Sequence, residues 1–280
     1  MIPVIFSTGS LYTYSIERCF RFAKAAGCDG IELMVDHRAE THEVDYLQGL
    51  IQGYGLPILT VHNPFDMAKL AGWPADKPGR IARSVALAEA LGAKTVVHHL
   101  PSKIDILALR LAGRRLLLPW FNGGQRAYKD WLAAGYGELQ SRTDVKLCME
   151  NMPTRRFLGR PLDAHHWNRP DQLGQHPHLP YLTLDTTHLA TWGIEPVEVY
   201  EQFNGKVHHI HLSNFDGREH RRPEEGDLNL TAFLKKLTAT NFPGAVSLEL
   251  HPDALDGGEP DEVIIEHLRG SVAFCREALN

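Results

Sequence analysis

The placement of acidic and imidazole side chains constrains this chain most. His62, His99, Glu150, Asp185, His211 and Glu249 each close a short apolar run of strand character, and five of those six runs lead into a segment of helical character. Repeated strand–helix units with such side chains at successive strand ends describe the C-terminal face of a (β/α)8 barrel. There the strand ends converge on one point although their spacing in sequence is large. The pattern predicts a fold and a metal site together.

Eight strands follow from the apolar runs: residues 3–7, 30–34, 56–62, 94–99, 146–150, 181–185, 207–212 and 245–250. Helices are expected over 15–26, 44–52, from Pro78 to a stop at Gly92, over 125–141, briefly at 171–173, from Pro196 to Gly205, over 231–240 and over 261–278. Residues 100–122 read as an enlarged loop and 213–229 as a polar one. No linker interrupts the series, so one α/β domain, a (β/α)8 TIM barrel over 1–280, is expected. A doubly wound open sheet is disfavoured because no Gly-rich phosphate turn follows the first strand.

The chain is long enough for one such barrel, and a 43% hydrophobic content suffices for its core. A net charge of −5 gives no electrostatic reason to expect nucleic acid or an anionic membrane as partner. The N-terminus MIPVIFSTGS lacks the basic region and apolar length of a signal peptide, and no run approaches a membrane span. Cys19, Cys28, Cys148 and Cys275 form no C-x-x-C pair, which fits a reduced, cytoplasmic protein.

Alternation assigns faces. Bulky aliphatics belong under the helices, so the smaller or polar set of each strand points into the lumen. That inward set includes Glu32, His62, Asp185 and Glu249. In TVVHHL the choice leans towards His99 over His98. In VHHIHL the ligand is His211, nearest the strand end. His209 then lies one layer deeper as a hydrogen-bonded interior residue, and His208 points outward.

Several motifs match a known pattern: VHNPFDMAKLA (61–71), VVHHLPS (96–102), MENMP (149–153), LDTTHLATWG (184–193), HIHLSNFDGREH (209–220) with EEGDLNL (224–230), and LEL (248–250). On these the chain resembles the xylose-isomerase-like TIM-barrel superfamily, which includes sugar and sugar-phosphate isomerases and epimerases and also endonuclease IV. Resemblance to the epimerase branch implies one divalent metal on Glu150, Asp185, His211 and Glu249, with His188 at the substrate. Resemblance to endonuclease IV implies three zincs, with His62, His99 and Glu150 at a second site and His188 and His220 at a third. That third site takes an Asp two residues before the loop histidine. Arg218 stands there instead, with Asp216 near. Such a loop arginine looks like the substrate-binding arginine of some epimerases.

A Glu/Asp/His set without thiolate suits Mn, Zn, Co or Mg. The expected chemistry is proton transfer α to a metal-polarised carbonyl, through an enediolate, with Glu150 and Glu249 as acid and base. The alternative is hydrolysis of a phosphodiester in abasic DNA at a multi-zinc centre. A third reading is a metal-binding barrel without activity. A single histidine at a strand end is more often structural than a ligand, but Glu150, Asp185, His211 and Glu249 occur as a set on consecutive strands. Glu32 is expected at the substrate, because an unpaired inward carboxylate costs stability. His62, His188, Arg218 and Trp192 are further substrate candidates. Trp73, Trp120 and Phe121 either wall a sugar pocket or cap the barrel. Arg155 and Arg156 are better placed for a phosphate than Arg114 and Arg115. Barrels of this kind often pair, so a homodimer is also expected.

Overall fold

The computed structural model describes residues 1–65, 70–103, 105–111, 114–120, 125–157, 160–203 and 205–280. Eight parallel strands close into a barrel: β1 (Val4–Ser7), β2 (Gly30–Met34), β3 (Ile58–His62), β4 (Thr95–His99), β7 (Lys146–Glu150), β10 (Tyr181–Asp185), β11 (Val207–Leu212) and β12 (Ala245–Leu248). Each pairs with its neighbour in chain order, and β12 closes the ring on β1. Two antiparallel hairpins emerge from the C-terminal side: β5 (Asp105–Leu111) with β6 (Arg114–Trp120), and β8 (Arg155–Phe157) with β9 (Arg160–Leu162).

The first hairpin corrects the expectation of an irregular loop over 100–122. Its runs DILALRL and RRLLLPW are leucine-rich without a clear period, and such runs suit helix and strand equally. The expected helix over 125–141 is two helices, α4 (Arg126–Ala134) and α5 (Tyr136–Ser141). They meet at Gly135, where a Cβ would lie 2.6 Å from the Trp131 ring. The last strand is shorter than expected and stops at Leu248, so Glu249 stands just beyond it. Barrel strands two, five, six and seven have the expected bounds.

The helices α1 (Ile16–Ala26), α2 (Val44–Tyr54), α3 (Lys77–Leu91), α8 (Pro196–Gln202), α9 (Leu230–Ala239) and α10 (Asp261–Leu279) cover the barrel, and α10 packs between α1 and α9. Helix α3 starts on an Asp76 cap with proline in its first turn and stops at Gly92 (φ 75°), as its sequence signals require. The main core lies between barrel and helices, where Ile31, Leu33, Val61, Val96, Leu147, Leu182, Leu184, Ile210 and Val246 are fully buried. His98 belongs to this outer layer and bonds the hydroxyls of Tyr128 and Tyr136 at 3.0 Å each. No helix among the described residues is long and apolar enough to cross a membrane.

Candidate metal centre and cavity

Parallel register brings the strand ends to one level. His99 pairs with Glu150, Asp185 with His211, and His211 with Ser247. Glu150, Asp185, His211 and Glu249 consequently present ligand atoms within 4.8 Å of one another. His211 Nδ1 lies 3.0 Å from Glu150 Oε1, 2.9 Å from Glu249 Oε2 and 3.8 Å from Asp185 Oδ2. Asp185 is held by local structure. Its Oδ1 accepts the His188 backbone N–H at 2.8 Å and so caps α7 (Thr186–Trp192), a short helix that sequence reading missed. Oδ2 is then the free oxygen.

Among the described residues, Asp185 Oδ2 is buried with no hydrogen-bond partner, and the buried Glu150 Oε2 meets only the Nε2 atoms of the His99 and His62 rings. Buried polar atoms are rarely left so, and a cation between them would remove the deficit. The donor set of three carboxylates and one imidazole fits a divalent metal of the Mn, Zn, Co or Mg kind. Charges agree with this. Burial pushes the Glu150 carboxyl up, but the His211 charge and its hydrogen bond outweigh it and hold Glu150 well below the usual range. The same opposition leaves Glu249 at about 2. Burial raises Asp185 to about 8 despite nearby His220, with Glu150 and Glu249 adding to the rise. Burial works against a charged His211, but Glu249, Glu32 and Glu150 raise it well above its ordinary value.

Two flanking groups share these carboxylates: His62 and His99 with Glu150, and His188 and His220 with Asp185. His99 Nε2 is 3.1 Å and His62 Nε2 3.6 Å from Glu150 Oε2. Nδ1 of His62, His188 and His220 each meets a backbone carbonyl, of Asn63, Asn151 and Glu249, at 2.9, 2.8 and 3.1 Å. That bond places the proton of the neutral ring on Nδ1 and leaves Nε2 as the donor atom.

A cavity of 530 Å³ opens above the cluster, within the range of small-molecule sites. Glu150, Glu249, His99, His188 and His220 form its floor, and Arg218 and Arg221 lie on its wall. Arg218 is 69% exposed and pairs with Asp216 at 2.7 Å. Sequence reading missed Arg221, Glu219, Phe65, His251 and Asp253 on the same wall; they sit in loops with no periodic signal. It also gave no role to two asparagines within its motifs. Asn151 ties β7 to the backbone of Asp185 at 2.8 and 3.1 Å. Asn214 Oδ1 accepts the N–H groups of Phe215 and Leu228 and shapes the 215–228 loop. Gly226 (φ 134°) is required beneath it, since a Cβ would lie 2.7 Å from that oxygen.

Glu32 does not reach the cavity. It is fully buried one layer below, bonded to His209 and His211, and the expectation of a substrate contact is corrected. Trp192 turns its Nε1 to the Met152 carbonyl at 3.3 Å, and Trp73 packs on His42; neither lines the cavity. Phe121 lies outside the described residues, as do the side chains of Arg114, Arg115, Trp120, Arg155 and Arg156.

Comparison with known proteins agrees with this architecture. The family model described as a xylose isomerase-like TIM barrel matches residues 20–273. An uncharacterized protein of Mycobacterium leprae is 30% identical, over 100% of this chain and 98% of its own length. Among solved structures, a D-tagatose 3-epimerase-like protein superposes with TM-score 0.61 at 20% identity, covering 97% of this chain and 99% of that one. An AP endonuclease, family 2, from Brucella melitensis superposes with TM-score 0.65 at 16% identity, covering 90% and 94%. At these identities the structural matches speak for the fold.

Proposed function

We propose that this chain, which belongs to the xylose isomerase-like TIM-barrel family, is a divalent-metal-dependent isomerase or epimerase of a small sugar or sugar phosphate. One observation carries the reading. Glu150 and Glu249 meet the same His211 nitrogen, at 3.0 and 2.9 Å, on the floor of a cavity roomy enough for a small molecule. Glu150, Asp185, His211 and Glu249 would hold the metal. When bound, it polarises a substrate carbonyl and stabilises negative charge on its oxygen.

The protein's own groups move the proton. One of Glu150 and Glu249 takes a proton from the carbon next to the carbonyl, and the C–H electron pair becomes the new C=C bond. The other glutamate, which has to enter the cycle protonated from solvent, delivers that proton to the opposite face, giving an epimer, or the first glutamate returns the proton it took at the neighbouring carbon, giving an isomer; in each case the C=C pair forms the new C–H bond. His188 and Arg218 orient the sugar hydroxyls or a phosphate. In heavy water with Mn²⁺ and a panel of ketoses and their phosphates, deuterium is expected at the carbon next to the carbonyl. An epimer formed without solvent deuterium at that carbon would contradict the two-glutamate route, because the delivered proton comes from the second carboxyl and not from the substrate.

A second reading, a multi-zinc phosphodiesterase, is favoured by one observation: the two flanking groups sharing Glu150 and Asp185. Against it stand Arg218 in place of an aspartate and the pairing of Asp216 with that arginine. Cleavage of abasic-site DNA by zinc-loaded protein, without sugar turnover, would replace the first reading with this one.

A further inference from the structure

Below the carboxylates of the centre, a second polar layer fills the barrel. Glu32 on β2 is completely buried there. Its Oε2 accepts from His209 Nε2 at 2.5 Å and from His211 Nε2 at 3.1 Å, and its Oε1 accepts the Ser7 hydroxyl at 2.9 Å. His209 is also fully buried, and its Nδ1 lies 3.5 Å from Thr60 Oγ1. Glu32, His209 and His211 fall within ligand distance of one another. Both Glu32 oxygens and both His209 nitrogens already have protein partners, so this layer does not act as another ion site. An apolar side chain would fill the position without a charge to compensate. A buried carboxylate kept there calls for a role.

We propose that Glu32 is a positioning residue for the metal centre, with His209 as its brace. By accepting the Nε2–H of His211, Glu32 keeps that ring's proton on the side away from Glu150, Asp185 and Glu249. Nδ1 would thereby be the nitrogen offered to a metal, and the ring would be kept from rotating away from Glu150 and Glu249. A carboxylate behind a ligating imidazole also raises its basicity. His209 donates to the same Oε2 and stops the carboxylate from rotating off His211. Ser7 fixes the opposite oxygen. Glu32 acts through His211 and touches neither metal nor substrate. This inference rests on the metal centre proposed above.

The test compares wild type with Glu32→Gln, His209→Gln and Ser7→Ala. Two readings are taken: Mn²⁺ affinity by competition with a chelator, and the visible spectrum of the Co²⁺-loaded protein. Glutamine keeps the shape and one acceptor but removes the charge. Glu32→Gln is expected to weaken Mn²⁺ binding about 10–100-fold and to change the Co²⁺ bands. Ser7→Ala, which frees one carboxylate oxygen but keeps the contacts to both histidines, should weaken Mn²⁺ binding less than Glu32→Gln does; a larger loss than in Glu32→Gln would contradict the assignment of the role to the histidine contacts. Wild-type affinity and spectrum in folded Glu32→Gln would overturn the proposal while leaving the metal centre intact. Should that variant fail to fold, His209→Gln decides: weaker Mn²⁺ binding supports the proposal, and unchanged binding with unchanged bands overturns it. Wild-type protein that takes up neither ion would overturn both the proposal and the metal centre.

Discussion

At the mouth of the barrel, Asp185 keeps one buried oxygen without a hydrogen-bond partner among the described residues, and one buried oxygen of Glu150 faces only imidazole nitrogens; one layer lower, Glu32 has both oxygens bonded. The two layers use the same residue types, and strand β11 contributes to both, His211 above and His209 below. A buried acceptor left unmade costs free energy, and a cation in the upper layer, as proposed, would remove that cost. A satisfied, charge-compensated group is built-in structure. Hydrogen-bond satisfaction therefore separates ligand from support where residue type does not. Neighbouring histidines on β4 repeat the contrast. His98 has both ring nitrogens on tyrosine hydroxyls, whereas His99 turns Nε2 to the buried Oε2 of Glu150.

The sharpest way to break this contrast is Glu150→Gln. It removes a ligand shared by the centre and one flanking group, and a candidate acid or base. Solvent exchange at the sugar carbon should fall by about 10³-fold or more, with metal retention lost in elemental analysis. Activity near wild type would mean that the upper layer is structural too. Glu249→Gln should cost about 10²–10⁴-fold in kcat. His62→Ala and His99→Ala sharpen the comparison between one metal and several. Under the isomerase reading they leave the four-ligand site loaded, and a lost second or third zinc would instead favour the phosphodiesterase.

Smaller effects come from the rim and from the outer layer. Arg218→Ala should raise KM about tenfold, in line with one charge-assisted contact, with little change in kcat or melting temperature because the side chain is mostly exposed. An unchanged KM would remove Arg218 from the substrate contacts. Acid stability tests the outer histidines. Burial depresses His98 well below its ordinary 6.5 and takes His165 and His176 to about 4. Depressed folded values mean that the unfolded chain binds more protons below pH 6.5. Their stabilisation is present above pH 6.5 and is lost as pH falls towards 4. The melting temperature of the metal-free protein should drop through that window, and His98→Gln should flatten the slope. A slope unchanged by that variant would contradict the assignment.

Much of the barrel was legible because alternation is a direct consequence of the pleat. Strands 146–150 and 181–185 each carry aliphatics on one face and small or polar residues on the other, and in 30–34 and 207–212 Glu32 and His211 lie opposite the Ile31–Leu33 and Ile210–Leu212 faces. Alternation gave only a lean to His99 over His98, because both faces of TVVHHL are apolar, and nearness to the strand end placed His209 below His211. Depth was less legible. Alternation tells which face Glu32 takes but not its layer, which depends on the register with neighbouring strands. The β2–β3 pairing shifts between Ile31 and Glu32, an irregularity that no residue pattern announces. Helix α7 was hidden because DTTHLATWG is rich in threonine, a weak helix former. The Asp185 cap and left-handed Gly193 define its ends. The loop residues on the cavity wall carry no period at all.

The most direct test of the metal centre is the metal content and Mn²⁺ affinity of the purified protein, measured beside Glu150→Gln. About one tightly held divalent ion per chain in wild type, lost in the variant, is the expected result. No binding by wild type after reconstitution, or equal binding by both proteins, would contradict the account.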